Sequence, residues 1–152
     1  MSAVDTLAEL GLSLPTPPSP AGAYTRAVRS LNQVFVSGQL PLLNGTVQYA
    51  GAVGRDLDEQ AGYEAAKLCA LNALSILQIE SGDLDKVRII RIGGYVCSDA
   101  NFTGQAQVVN GASELFAAVL GERGIHARLA VGVSALPLGA AVELEVIAEV
   151  EV

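Results

Sequence analysis

The sharpest pattern in the chain lies near its C-terminus. Val142, Leu144, Val146, Ala148 and Val150 fall on one face of an extended segment. Glu143, Glu145, Glu149 and Glu151 fall on the other, interrupted by Ile147. The run before it alternates too, with Leu129, Val131 and Val133 on one side and Arg128, Ala130, Gly132 and Ser134 on the other. Pro137 and Gly139 sit between the two runs, where a missing donor and a permissive backbone suit a turn. The spacing predicts two strands with a short connection. Arg128 heads a face that is otherwise small, which leaves room beside its guanidinium for something planar and anionic.

Upstream, the period changes between two and 3.6. Val4, Leu7 and Leu10 predict a short amphipathic helix from Ser2 to Gly11, with Ser2 as N-cap and Gly11 as stop. Prolines at 15, 17, 18 and 20 then predict an extended arm laid on the surface. Residues 21–29 and 33–40 read as a hairpin around Ser30-Leu31-Asn32, with Gly38 marking a bulge or a close backbone approach. Asn44-Gly45 signals a turn, with a weak strand after it near 47–50. The apolar stripe of Ala61, Ala65, Leu68 and Ile76 predicts a helix over 58–79, and Asp58 and Glu59 suit the positive end of its dipole. Residues 87–98 predict a strand with a bulge at Gly93-Gly94. Val108, Ala112, Leu115, Phe116 and Val119 predict a second helix over 105–120.

The order β-β-(β)-α-β-α-β-β points to an α+β fold, a mixed sheet with two helices packed on one face. An extension, 1–20, precedes a single domain, 21–152. The other sheet face carries Val, Phe and Tyr, and a self-associating sheet would cover it. Composition favours the same outcome. Hydrophobic residues make up 51% and charged residues 16% of the 152, against a usual charged share of about a quarter. A chain with so little polar surface tends to hide area in an oligomer.

Charge narrows the partners. A net charge of −7 with scattered Lys and Arg argues against nucleic acid. No apolar run is long enough to span a membrane. Asp5 and Glu9 stand where a signal peptide needs positive charge, so a cytoplasmic location is expected. Cys69 and Cys97 lie in apolar segments and read as buried free thiols, Cys97 near a strand end being the fainter reactive candidate. One His and two Cys cannot build an ordinary structural zinc site without carboxylates. There is no Walker loop and no G-x-G-x-x-G, so no metal and no cofactor is expected.

Several side chains could carry chemistry. Arg128 is either half of a surface ion pair or a bidentate carboxylate ligand. Glu143 and Glu145 read as a solvated face, and the spacing alone does not single out either for chemistry. Tyr24 could be core with its hydroxyl satisfied, or could line a site. Ser37 and Gly38 could offer polar groups to a ligand or shape a bulge. Asn110 could be a local cap. His126, the only His, has no G-x-S-x-G nucleophile to serve.

The run from Ala127 to Val150, ARLAVGVSALPLGAAVELEVIAEV, resembles the C-terminal signature of the RidA (YjgF-like) family, often labelled L-PSP endoribonuclease-like. GAYTRAV, VFVSGQLPLLNG, SGDLDKVRIIRIGGYVCSDANF and VVNGASELF are similar to its other segments in order, so the resemblance spans roughly residues 20 to 150. It implies a chorismate-mutase-like fold and a homotrimer with clefts between subunits. It implies an enzyme of the 2-iminobutanoate/2-iminopropanoate deaminase kind, hydrolysing reactive enamines and imines such as 2-aminoacrylate to 2-keto acids and ammonia. By that resemblance Arg128 binds the substrate carboxylate, Glu143 positions water, and Tyr24, Ser37, Gly38 and Asn110 line the cleft. The other readings are a non-catalytic trimer that senses a small carboxylate such as a keto acid, and a ribonuclease, against which the acidic charge weighs. The chain departs from the family in three places. Ser113 stands for a Tyr, Ala130 for a frequent Cys, and the N-terminal arm is added.

Overall fold

A computed structural model describes residues 1–152. Helix α1 spans Ala3–Glu9 and opens with a capping box. The Ser2 hydroxyl accepts from the Asp5 amide, while the Asp5 carboxylate accepts from the Ser2 backbone. Strands β1 (Ala27–Ser30) and β2 (Gln33–Gln39) form the predicted hairpin, which starts later than the alternation implied. Residues 21–26 instead run as loop against the arm. Asn44 and Gly45 both take positive φ, 52° and 78°. This joins the two-residue strands β3 (Leu42–Leu43) and β4 (Thr46–Val47) in the tight turn that Asn-Gly favours.

Helix α2 (Glu59–Ser81) begins where Asp58 accepts from the Ala61 amide and ends at left-handed Gly82. A cap of this kind is worth about 1 kcal/mol. Strand β5 (Val87–Cys97), helix α3 (Gln105–Leu120) and strand β6 (Ala127–Val133) follow, then β7 (Val142–Val150). The five-stranded sheet runs β1-β2-β7-β5-β6, with β5 and β6 parallel and its other neighbours antiparallel. The two C-terminal strands are therefore not partners. Helix α3 is a crossover that returns β6 parallel to β5, and β7 then inserts between β2 and β5.

One continuous core of 31 buried residues lies between the sheet and its helices. It includes Ala3 and Leu7, so α1 joins the same unit as a third helix, packed against α3. Helices α2 and α3 approach so closely that a Cβ at Gly111 would collide with the Tyr63 carbonyl oxygen. The bulge expected at Gly93-Gly94 lies earlier on the strand, between Ile89 and Arg91. The glycines remain in regular pairing because their neighbours lie over them. The Glu145 side chain occupies the space above Gly93, and Val109 of α3 packs onto Gly94. No helix is long and apolar enough to cross a membrane.

Candidate active site

A register shift between Val36 and Gln39 puts three residue steps of β2 against two of β7, from Val146 to Leu144. Ser37 and Gly38 form this bulge and widen the sheet edge over Glu143. A Cβ on Gly38 would overlap the Glu143 carboxylate, so the glycine is what lets that side chain lie there. The bulge is tied at both ends. The Ser37 hydroxyl donates to the Thr25 carbonyl at 2.7 Å, and the Gln39 amide donates to the Ser37 carbonyl at 2.9 Å.

Above the bulge lies a cleft of about 250 Å³ lined by Tyr24, Ser37, Gly38 and Glu143, among others. Its outer wall is the proline arm, Pro18 to Ala21. Arg26 holds that arm, donating from Nε to the Pro18 carbonyl at 2.8 Å and from Nη2 to the Pro17 carbonyl at 3.3 Å. Tyr24 is not core. It is 53% exposed on the rim, and its hydroxyl accepts from the Ala21 amide. Half-burial, and then the negative charge of Glu145, raise the Glu143 carboxyl above its ordinary value of 4.5. That moves Glu143 toward the range in which a carboxyl can give and take a proton near neutrality. Glu145 itself is engaged elsewhere, accepting from the Tyr95 hydroxyl at 2.7 Å and facing Arg91 at 3.6 Å.

Arg128 is not in this cleft. Its Nη1 donates to the Ser113 hydroxyl oxygen at 3.0 Å and its Nη2 to the Ala106 carbonyl at 3.1 Å. Ala106, Asn110 and Ser113 recur at the i, i+4, i+7 spacing of one helix face. Asn110 therefore belongs with Arg128, at the β6 edge. No surface ion pair holds Arg128. The six residues named from sequence thus divide. Tyr24, Ser37, Gly38 and Glu143 converge in the cleft, while Arg128 and Asn110 lie on the other side of the sheet.

Sequence reasoning missed Arg26 as the clasp of the arm and the arm as a wall. Four prolines signal extended chain, but nothing local says where it lies. Reasoning also left His126 without a partner. Its Nε2 is 2.9 Å from Ser113 Oγ and its Nδ1 2.6 Å from the Gly124 carbonyl. Both cysteines are buried and unpaired, and burial pushes the Cys69 thiol well up, so it is inert core. No three His, Cys, Asp or Glu side chains cluster as a metal site would require.

Fold and cleft together define an α+β protein with a small polar cleft, built on a sheet bulge and served by one half-buried carboxyl. Residues 5–150 match the family described as "YjgF/chorismate mutase-like, putative endoribonuclease". The match takes in α1 and the arm as well as the sheet. The chain is 44% identical over 145 residues to protein TCP17 of Trypanosoma cruzi, covering 94% of this chain and 91% of that one. It superposes on the crystal structure of Atu1372, a protein of unknown function from Agrobacterium tumefaciens, with a TM-score of 0.92. That pair shares 43% identity over 98% of this chain and 92% of the other. RidA from an Antarctic Psychrobacter is similar at 30% identity and a TM-score of 0.64, covering 89% and 94%. The chain belongs to the YjgF/chorismate mutase-like family, and its fold is that family's.

Proposed function

We propose that the protein hydrolyses small carboxylate-bearing imines and enamines, of the 2-aminoacrylate type, to 2-keto acids and ammonia. The site we infer lies between subunits of a homotrimer. Water adds to the imine carbon, the C–N bond breaks, and ammonia leaves as the carbonyl forms. The observation that carries this reading is Glu143. A half-buried carboxyl with a raised proton affinity faces a cleft of only about 250 Å³, sized for a small metabolite rather than a polymer. In the proposed reaction it orders the water and shuttles its proton to the leaving nitrogen. Arg128 of a neighbouring copy clamps the carboxylate, and proximity supplies much of the remaining acceleration.

Two features support assembly. The open face of the sheet presents Val28, Phe35 and Val131 at 56%, 42% and 40% exposure, apolar area that a second copy would bury. Arg128 and Asn110 also need another copy to reach a cleft on the opposite face. Similarity to RidA adds the family's chemistry to this reading. The net charge of −7 weighs against RNA as substrate, although the family description carries the word endoribonuclease.

The test is release of ammonia and 2-keto acid from imines generated in situ by an amino-acid oxidase, for wild type, Glu143→Gln and Arg128→Ala. Acceleration by wild type supports the reading when kcat falls about 100-fold in Glu143→Gln, a loss typical of removing one positioned proton-transfer group, and KM for the carboxylate rises in Arg128→Ala. No acceleration across a panel of imines overturns it.

A further inference from the structure

Ser113 and His126 have no part in the proposed reaction, yet they are bonded to Arg128, and the hydrogen bonds of the three can run in only one direction. The Gly124 carbonyl can only accept, so the 2.6 Å contact puts the ring proton of His126 on Nδ1. In the neutral ring Nε2 is then an acceptor, and the Ser113 hydroxyl 2.9 Å away must donate to it. With its proton so directed, Ser113 Oγ presents its lone pairs to Arg128 Nη1 at 3.0 Å. The ring is fixed edge-to-face against Phe116, centroids 5.9 Å apart at 87°. The chain therefore reads Arg128 to Ser113 to His126 to Gly124, every group with one assigned role.

The surroundings keep it so. Helix α3 presents Ser113 and Phe116 to the imidazole, the turn presents Gly124, and β6 presents Arg128. Arg128 is the charged group that bears on the ring, and Glu114 on the next position of α3 is committed to the Tyr63 hydroxyl. Burial, and then the guanidinium, hold the His126 pKa below its ordinary value. Of the five donors on a guanidinium, Ser113 and the Ala106 carbonyl engage two, which leaves three to face a ligand. A guanidinium on a long side chain otherwise samples many rotamers and must be ordered before it can bind.

We propose that Ser113 and His126 are positioning residues that hold the Arg128 guanidinium ready for a planar carboxylate. Neither touches substrate. This rests on the reading of Arg128 as the carboxylate ligand and deepens it by naming what orients that ligand. A pre-ordered clamp binds ground state and transition state alike, so its loss raises KM and leaves kcat near wild type.

The test compares Ser113→Ala, Ser113→Thr, His126→Leu, His126→Gln and Arg128→Ala. One readout is calorimetric binding of 2-oxobutanoate. The other is turnover of imines bearing a carboxylate or its methyl ester. Ser113→Ala and His126→Leu weaken binding and raise KM for the carboxylate by about tenfold, the scale of one hydrogen bond to a charged group. They leave the ester unchanged. Ser113→Thr keeps the hydroxyl and His126→Gln keeps an acceptor, and both restore affinity to within about threefold. If Arg128→Ala loses carboxylate preference while Ser113→Ala keeps it, the relay inference is overturned and the site reading stands. If Arg128→Ala itself keeps carboxylate preference and affinity, or wild type binds no 2-oxo acid, the clamp and the relay fall together. Equal losses on carboxylate and ester, without rescue by Thr or Gln, mark a structural role only and also overturn it.

Discussion

Arg128 and Glu143 point away from opposite faces of the same sheet. Arg128 is paired in register with Ile92, which is buried against the helices, whereas Glu143 is paired with Tyr95 on the open face. Ile92 and Tyr95 are three residues apart on β5, so their side chains alternate to opposite sides. Within one chain the two groups cannot serve one substrate. If they cooperate, they do so between copies. Arg128→Ala and Glu143→Gln, each impaired alone on carboxylate-bearing imines at low substrate concentration, are then expected to complement when co-expressed. In a random one-to-one assembly about a quarter of the interfaces combine an intact Arg128 with an intact Glu143. Activity per subunit near that fraction of wild type is the expected result. Activity no higher than the single variants would overturn the cooperation of Arg128 and Glu143 across copies.

Gly38 matters for what it leaves empty. A methyl group there would contact only the far end of the Glu143 side chain, which can swing aside. Gly38→Ala is therefore expected to fold, with stability within about 1 kcal/mol of wild type. Activity is expected to fall by about 100-fold as the carboxyl is displaced from the cleft. Thermal denaturation beside the imine assay separates the two effects.

Glu143 also has a stability signature. Its carboxyl releases its proton at higher pH in the folded chain than in the unfolded one, because burial and Glu145 disfavour the anion. Its contribution is intact below about pH 4.5 and is lost as pH rises through the folded value. Glu143→Gln removes that loss. The variant is expected to melt higher than wild type at pH 8. The difference should shrink as the pH falls below about 4.5 and vanish near pH 3, where the wild-type carboxyl is neutral in both states. Scanning calorimetry across that range checks it.

Gly111 tests the packing that carries α3. A Cβ there would strike backbone, the Tyr63 carbonyl oxygen, which cannot rotate away. Gly111→Ala is expected to cost about 2–3 kcal/mol by forcing α2 and α3 apart, despite the better helix propensity of Ala. Urea denaturation measures it. A neutral or stabilising effect would mean that the two helices are less tightly seated.

Much of this was legible in the order of residues. The alternation from Val142 to Val150 named both faces of β7, since side chains on a strand must alternate and only one face meets the core. The stripe on α3 set its ends at Gln105 and Leu120. Gly38 announced a bulge because no other residue leaves that space. These features are local, governed by backbone geometry within a few residues. The family was also readable, because its segments recur in order along the chain.

Tertiary structure decided the rest, because it depends on contacts between residues far apart in sequence. Nothing near Gly93 tells that Glu145, some fifty positions on, lies above it and leaves the strand regular there. Nothing near Arg26 tells that its guanidinium clasps Pro17 and Pro18 and turns the arm into a cleft wall. The partnership of His126 with Ser113 joins a strand entry to a helix face, and no spacing rule links them. The insertion of β7 beside β5 put Arg128 and Glu143 on opposite faces. Each strand's side-chain alternation was already written in the residues. For β6, where neither face is uniformly buried, the face turned to the helices is settled only when the sheet closes over its core.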